Sequence, residues 1–355
     1  MPLRNPPLRE THADSGAKFT EFGGWDMPVE FDSISTEHEA VRESAGIFDV
    51  SHMGEVAVAG PDATTLMQRL TTNDVSALSP GDAQYAAIVR EDGVMLDDTI
   101  VYRLPDDRVE TVVGPGVNDG RDDADDTDDA YLFIPNAGHD AEIHERWVDY
   151  RDEHDLSATV RNATEDWAMF AVQGPEAAAL VSDAAASDLT TVPWFDATFA
   201  DVAGVECWVA RTGYTGEDGF ELLCPWEEAA TVWHALDDAQ PCGLGARATL
   251  RIEKGFLLSG QDFDSDDEPR TPFEAGIGFA VDTDTEFVGR DALAEQEAAG
   301  TAESFVGLEL LGRRAVSYTP MTLPTKRIAI LVGVRCLFIS KRVRTSRSSL
   351  TSRYV

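Results

Sequence analysis

Two adjacent acids, Asp97 and Asp98, stand in the stretch EDGVMLDDTIVY from Glu91 to Tyr102, at the entrance of an apolar run. A carboxylate stripped of part of its water can orient an amine, accept its proton or stabilise a nearby cation. Neighbouring strand residues face opposite sides, so at most one of the pair is expected to point into a pocket. An arbitrary pair of this kind is more often a turn before a strand. A second group lies in RTGYTGEDGFEL, Arg211 to Leu222. It reads as a glycine-rich hairpin in which Gly213, Gly216 and Gly219 free the backbone, while Tyr214 and Glu221 are available to a ligand. The Walker spacing and its lysine are missing, so this is not a phosphate loop. A third group is GLGARATLRIEKGFLLSGQD, starting at Gly243, with helical periodicity. Arg247, just beyond the glycines, suits a ligand carboxylate held in a fork, whereas Arg251 and Lys254 are expected to be solvated or paired with acids. GGWDMP (Gly23 to Pro28) and FDVSHMGE (Phe48 to Glu55) add glycine turns, aromatics, His52 and Met53; by itself His52 reads as a satisfied structural histidine.

Strands and helices must hold these groups. Period-two or continuous apolar runs predict strands at Glu55 to Ala59, Thr99 to Leu104, Ala168 to Val172, Val205 to Ala210 and Phe220 to Cys224. Helical patterns occupy Ala63 to Leu70, Ala177 to Val181 and Glu227 to Leu236. One echo is informative: EVAVAGPDATTLMQRL from Glu55 and AMFAVQGPEAAALVSD from Ala168 both read strand, Gly-Pro, acid, Ala, helix. Gly60 and Gly174 can take the turn, Pro61 and Pro175 suit the first helical turn, and Asp62 and Glu176 favour a helix N-terminus. Two related strand-turn-helix lobes are implied.

A chain of 355 residues is expected to divide into two or three domains. With 43% hydrophobic residues, the excess of 65 Asp plus Glu over 28 Lys plus Arg is a surface property rather than a mark of disorder. A formal charge of −37 repels nucleic acid and anionic membranes, and high salt screens the self-repulsion it creates. Up to Arg314 the only lysines are Lys18 and Lys254, a pattern that suits a salt-rich cytoplasm. Cys207, Cys224, Cys242 and Cys336 lack C-x-x-C spacing, so reduced structural thiols are expected and no zinc site. No stretch approaches the roughly 20 apolar residues of a membrane span and the N-terminus has no signal-like apolar core, which predicts a cytoplasmic location.

In this order, GGWDMP, FDVSHMGE, LTTND, DDTIVY, AVQGP, RTGYTGEDGFEL and GLGARATLRIEKG resemble the glycine cleavage system T-protein, an aminomethyltransferase, over roughly Pro7 to Arg314. The resemblance implies an α+β, multi-domain folate-binding fold with two related lobes and a C-terminal β-barrel domain, incomplete here. It places the folate-binding region, two interleaved lobes, at residues 1–280, the start of the barrel at 281–314 and an atypical basic tail at 315–355. It further implies transfer of the methylene carbon of an aminomethyl group from a lipoyl arm on the partner H-protein to tetrahydrofolate, with release of ammonia and no metal. The catalytic acid of the family, the second of its pair, falls on Asp98. Met53, Tyr85 in DAQYAA, Asn136 in FIPNAG, Tyr214 and Glu221 would line the pterin and aminobenzoate pocket. Phe195, with Trp194 beside it, would add an aromatic wall, and Arg247 would hold the glutamate end of folate or an anionic part of the other substrate. Two rivals share the motifs: a folate-dependent demethylase, for whose flavin domain there is no fingerprint, and a binding-only regulatory relative, against which the acid pair argues.

Two segments depart from the family pattern. VNDGRDDADDTDDA carries seven Asp between Asp119 and Asp129 without calcium-loop spacing and reads as a solvated surface insertion. The 41 residues from Ala315 to Val355 hold eight Lys plus Arg and no Asp or Glu. A basic arm and a shifted reading frame both fit so abrupt a change.

Overall fold

The computed structural model describes residues 2–108, 111–112, 129–309 and 336–338. An N-terminal hairpin, β1 (Lys18–Phe22) and β2 (Trp25–Glu30), precedes β3 (Gly46–Asp49) and two larger sheets. In the first, β4 (Val56–Ala59), β5 (Ala83–Val89), β6 (Met95–Arg103), β7 (Ala130–Phe133) and β8 (Thr159–Asn162) stand in the order β5-β6-β7-β4-β8. In the second, β9 (Trp167–Gln173), β10 (Ala197–Val202), β11 (Val205–Ala210), β12 (Gly219–Pro225) and β13 (Gln240–Cys242) give β10-β11-β12-β9-β3-β13. The run β5-β6-β7-β4 and the run β10-β11-β12-β9 have the same connectivity, every neighbouring pair antiparallel.

The sequence echo is the start of this duplication and extends beyond the matched residues. Gly60 (φ +130°) and Gly174 (φ +134°) turn β4 and β9 into the helices Ala63–Leu70 and Ala177–Ala184. Both turns also demand the absence of a side chain: a Cβ on Gly60 would lie 2.9 Å from the Ser157 carbonyl oxygen, and one on Gly174 would lie 2.4 Å from that of Ser44. Asp62 and Glu176 occupy the N-cap positions without capping through their side chains; Asp62 accepts the Ser157 N–H at 2.7 Å instead. Pro61 and Pro175 therefore sit just outside the helices, not in their first turns. After each helix a short 3₁₀ turn is capped by an aspartate, Asp74 to the Ser76 N–H and Asp188 to the Thr190 N–H, both at 3.0 Å.

The two sheets meet at the starts of β5 and β10. The Ala83 N–H donates to the Phe195 carbonyl and the Ala197 N–H to the Gly81 carbonyl, each at 2.7 Å, across an antiparallel bridge between Asp82 and Asp196. Arg103 and Arg211 repeat the symmetry, their N–H groups reaching the carbonyls of Asp82 and Asp196. Between the sheets Phe48, Ala57, Tyr102, Leu132, Met169, Trp208 and Leu250 form a shared core. Alternate residues face outward: Val56 and Val58 pack under the helices of the first lobe, Phe170 and Val172 under those of the second. Sheets covered on both faces explain why Trp167–Gln173 is buried throughout and reads as an unbroken apolar run.

Leu257, Phe263, Ile277, Phe287 and Leu293 form a further cluster against Val89 and Met95 of the first lobe. The helix Pro272–Ala275 enters it through a capping box of Thr271 and Glu274. Of the segment 281–314, expected to begin a C-terminal barrel, residues 281–309 are described: they hold the helix Arg290–Ala299 and the strand Gly307–Glu309, which pairs antiparallel with Cys336–Phe338 of the tail. The rest of the basic tail and the Asp-rich insertion up to Asp128 lie outside the described residues. Cys207, Cys224 and Cys242 are buried and unbridged, and among the described residues no helix is long and apolar enough to cross a membrane.

Candidate active site

The site is built on β6. Opposite its start the β5–β6 register skips Leu96: Ile88 pairs with Asp97, but Val89 pairs with Met95. Such a bulge re-aims the side chains that follow. On the other edge β7 runs beside β6 only from Val101 to Arg103, and the Ile134 N–H then donates to the Ile100 carbonyl and the Thr99 hydroxyl. Asn136 takes over where the β7 backbone leaves. Its Nδ2 lies 3.1 Å from the Asp98 carbonyl oxygen, 2.7 Å from Asp98 Oδ1 and 2.6 Å from Asp97 Oδ1. Both carboxylates converge on this one amide, while Asp97 is buried and Asp98 only half-buried. Asp97, fully buried, is the structural partner: it also accepts from the backbone N–H groups of Asn136 and Asp98, each at 3.0 Å, and its Oδ2 lies 3.2 Å from His139 Nδ1. The hydrogen bond to Asp97 raises the His139 pKa in spite of burial.

Asp98, half-buried, holds the more open end of this arrangement. The Tyr85 hydroxyl donates to its Oδ2, opposite the Asn136 amide. Burial, with Asp97 beside it, pushes the Asp98 carboxyl up to about 6, against the two donors that favour its charged form. Burial and the same carboxylate keep the Tyr85 phenol protonated, its pKa well above the ordinary value, so it remains a donor. The Tyr85 ring is stacked on Phe279, centroids 5.9 Å apart, and Phe279 is 75% exposed.

The β11–β12 hairpin and the Leu244–Lys254 helix supply the opposite wall. Gln173, at the end of β9, is buried and bonds the Thr212 carbonyl (3.1 Å) and the Thr215 hydroxyl (2.8 Å). A Cβ on Gly213 would lie 2.0 Å from Gln173 Oε1, and one on Gly219 would lie 2.1 Å from the Val172 carbonyl oxygen. These two glycines are there for space, and of the three only Gly216 (φ +82°) uses a left-handed backbone. The Tyr214 hydroxyl donates to the Leu257 carbonyl, and its ring lies under the Arg247 guanidinium, 4.2 Å from the centroid. Glu221 accepts from the Thr212 hydroxyl at 2.6 Å; burial raises its pKa, opposed by that bond and by Arg247. Burial lowers the Arg247 pKa, while Tyr214, Glu221 and Asp98 favour its charged form. Among the described residues the Arg247 guanidinium makes no hydrogen bond or ion pair, so its donors remain available.

Asp98, Tyr85 and Asn136 thus form one hydrogen-bonded cluster, and Tyr214, Glu221 and Arg247 form a second within electrostatic reach of Asp98. Met53 is partly buried against the core between the lobes. Phe195 sits at the lobe junction, 43% exposed, with φ +62° where its counterpart Gly81 has φ +97°. Arg251 is buried, not solvated, and is paired with Asp262. His52 is not satisfied: among the described residues neither buried ring nitrogen has a partner, and burial together with Arg247 keeps the imidazole neutral. Sequence reasoning passed over Phe279 and His139, since a lone Phe and a loop His carry no spacing signal. Among the described residues no group of three His, Cys, Asp or Glu is placed to hold a metal.

The family model described as the GCVT N-terminal domain matches residues 8–123 and 124–285. A probable aminomethyltransferase of Haloarcula marismortui is 58% identical over 313 residues, 88% of this chain and 81% of that protein. The chain belongs to the aminomethyltransferase family. Among other aminomethyltransferases, the probable one of Halobacterium salinarum is 59% identical over 311 residues, 87% of this chain and 80% of that protein. That of Rubrobacter xylanophilus is 44% identical over 317 residues, covering 88% and 77%. The fold matches the crystal structure of glycine cleavage system aminomethyltransferase T from Bartonella henselae with a TM-score of 0.75 at 29% identity, over 88% of this chain and 80% of that one. The acidic, lysine-poor composition of this aminomethyltransferase fits its relatives from Haloarcula and Halobacterium.

Proposed function

We propose that this aminomethyltransferase passes the methylene carbon of an aminomethyl group, held as a thioether on a lipoyl arm of the glycine cleavage H-protein, to tetrahydrofolate. In balance, the carbon's bonds to sulfur and to the amine nitrogen break, two bonds to folate nitrogens form, and ammonia and the dihydrolipoyl thiol leave. The observation that supports this reading is the placement of Asp98. It is a half-buried carboxylate, pinned by two donors, with the Arg247 guanidinium within electrostatic reach. The residues suit a ligand with a flat polar ring system at one end and a carboxylate at the other.

In this reading Asp98 is ionised at neutral pH, and Tyr85 and Asn136 fix its direction, so no reorganisation is needed when positive charge develops on the transferring carbon. It also stands ready to accept a proton from a nitrogen of the folate. Arg247 takes the glutamate end of folate or an anionic part of the aminomethyl substrate, and Tyr214, Glu221, Met53 and Phe195 line the remaining surface. The pairing of the protein with a lipoylated partner and its location in a salt-rich cytoplasm are part of the same proposal. The test is formation of methylenetetrahydrofolate and ammonia from aminomethylated lipoyl H-protein plus tetrahydrofolate in multimolar salt. No folate-dependent ammonia release from wild-type protein that still binds folate would reject turnover in favour of a binding-only role.

A further inference from the structure

Arg42, in the last turn of the helix Ile34–Glu43, belongs to none of the groups singled out above, yet it joins two of them. Its Nη1 donates to the Thr215 carbonyl and to Glu217 Oε1, both at 2.9 Å. Its Nη2 and Nε donate to Glu253 Oε2 at 2.8 and 3.3 Å. Thr215 follows Tyr214 in the β11–β12 hairpin, and Glu253 lies further along the helix that carries Arg247. One planar fork thus holds both halves of the Tyr214–Arg247 wall. His38, one turn earlier on the same helix, adds a contact of 2.9 Å to the Glu253 oxygen.

Two features mark the arrangement as built. An acid in the last turn of a helix opposes the helix dipole, so Glu253 is poorly placed unless cations answer it. Burial also works against its ionisation, but the bonds from His38 and Arg42 outweigh burial and leave the carboxyl below its ordinary pKa. Moreover, the Arg42 side chain is only 24% exposed and Glu253 equally so, which limits screening by salt.

We propose that Arg42 is a positioning residue that ties the β11–β12 hairpin to the Leu244–Lys254 helix, holding Tyr214 against Arg247 and so setting the affinity for tetrahydrofolate without touching it. This rests on the reading that Tyr214 and Arg247 hold the folate. A lysine keeps the charge but lacks the planar fork whose separate nitrogens face the two sides. The experiment compares Arg42→Lys, Glu217→Gln and Arg247→Ala in steady-state kinetics, varying tetrahydrofolate and aminomethylated H-protein separately. Arg42→Lys should raise KM for tetrahydrofolate by about tenfold, with kcat within about twofold and KM for the protein substrate unchanged. Glu217→Gln should move the same parameter less, and the double variant should be no worse than Arg42→Lys alone, because both changes act on one network. An unchanged folate KM in Arg42→Lys, with a raised one in Arg247→Ala, overturns the positioning role and leaves the folate site standing. An unchanged folate KM in Arg247→Ala overturns the folate site itself. Should Arg42→Lys fail to fold, an unaltered folate KM in Glu217→Gln overturns the proposal in its place.

Discussion

Two hydrogen bonds, from Tyr85 and Asn136, hold the Asp98 carboxylate where burial and Asp97 favour the neutral acid. With its pKa pushed up to about 6, Asp98 stays protonated in the folded protein over a range in which the unfolded chain has already ionised it. Stability from this group is therefore complete below the unfolded pKa and is lost as pH rises through about 6. Asp98→Asn should raise the unfolding free energy at pH 7 by about 1–3 kcal/mol, measured by urea denaturation, while lowering turnover by about 10²–10⁴-fold. A variant that is both less stable and fully active would remove Asp98 from the chemistry. The wild-type pH profile carries an independent check: kcat/KM should fall as pH drops through about 6, where the carboxylate is lost, and a flat profile down to pH of about 5 would mean that its charge is not used.

At the level of elements, the hairpin is shaped by what packs beneath it. Gly213 leaves room for the buried amide of Gln173, which bonds the hairpin at Thr212 and Thr215. Gly213→Ala should cost about 2–4 kcal/mol in stability, since backbone or Gln173 must move. Gly204→Ala is the control: its φ of +87° is unfavourable for alanine but nothing lies within 4 Å of the added Cβ, so a loss of about 1 kcal/mol is expected. Equal losses at the two sites, read from chemical unfolding midpoints, would show that space around Gln173 is not the constraint. The sequence marked this hairpin as glycine-rich but assigned the same reason to each glycine; a contact with a residue far along the chain has no local signature. Phe195 is a related case. Its left-handed backbone follows from the reciprocal bonds between the lobes, and the corresponding Gly81 shows which residue type that turn suits.

For the molecule as a whole, charge is the dominant feature. Described acids are answered by arginine in pairs such as Arg103–Asp129, Arg211–Asp218 and Arg161–Asp166, but a net −37 leaves many unanswered. Screening shortens from a Debye length of about 10 Å at 0.1 M salt to about 3 Å at 1 M. The thermal midpoint should accordingly climb steeply with KCl between about 0.1 and 1 M and more slowly beyond. A midpoint independent of salt, followed by circular dichroism, would mean that the acidic surface does not repel itself appreciably.

Local rules were enough for much of this protein. The apolar runs that became β4, β9, β11 and β12, the Gly-Pro turns and the duplicated lobes could all be read from spacing, and the choice of Asp98 as the candidate acid came from the family resemblance, because each depends on neighbours along the chain or on an ordered series of motifs. Tertiary structure alone decided which groups meet. Asn136 reaches both acids because β7 leaves β6 early; Phe279 stacks on Tyr85 because the segment after the Pro272–Ala275 helix folds back on β5; and Arg42 spans two motifs far apart in sequence. Side-chain periodicity tells which face of an element is covered, but not what covers it, and the chemistry of this site lies in that second choice.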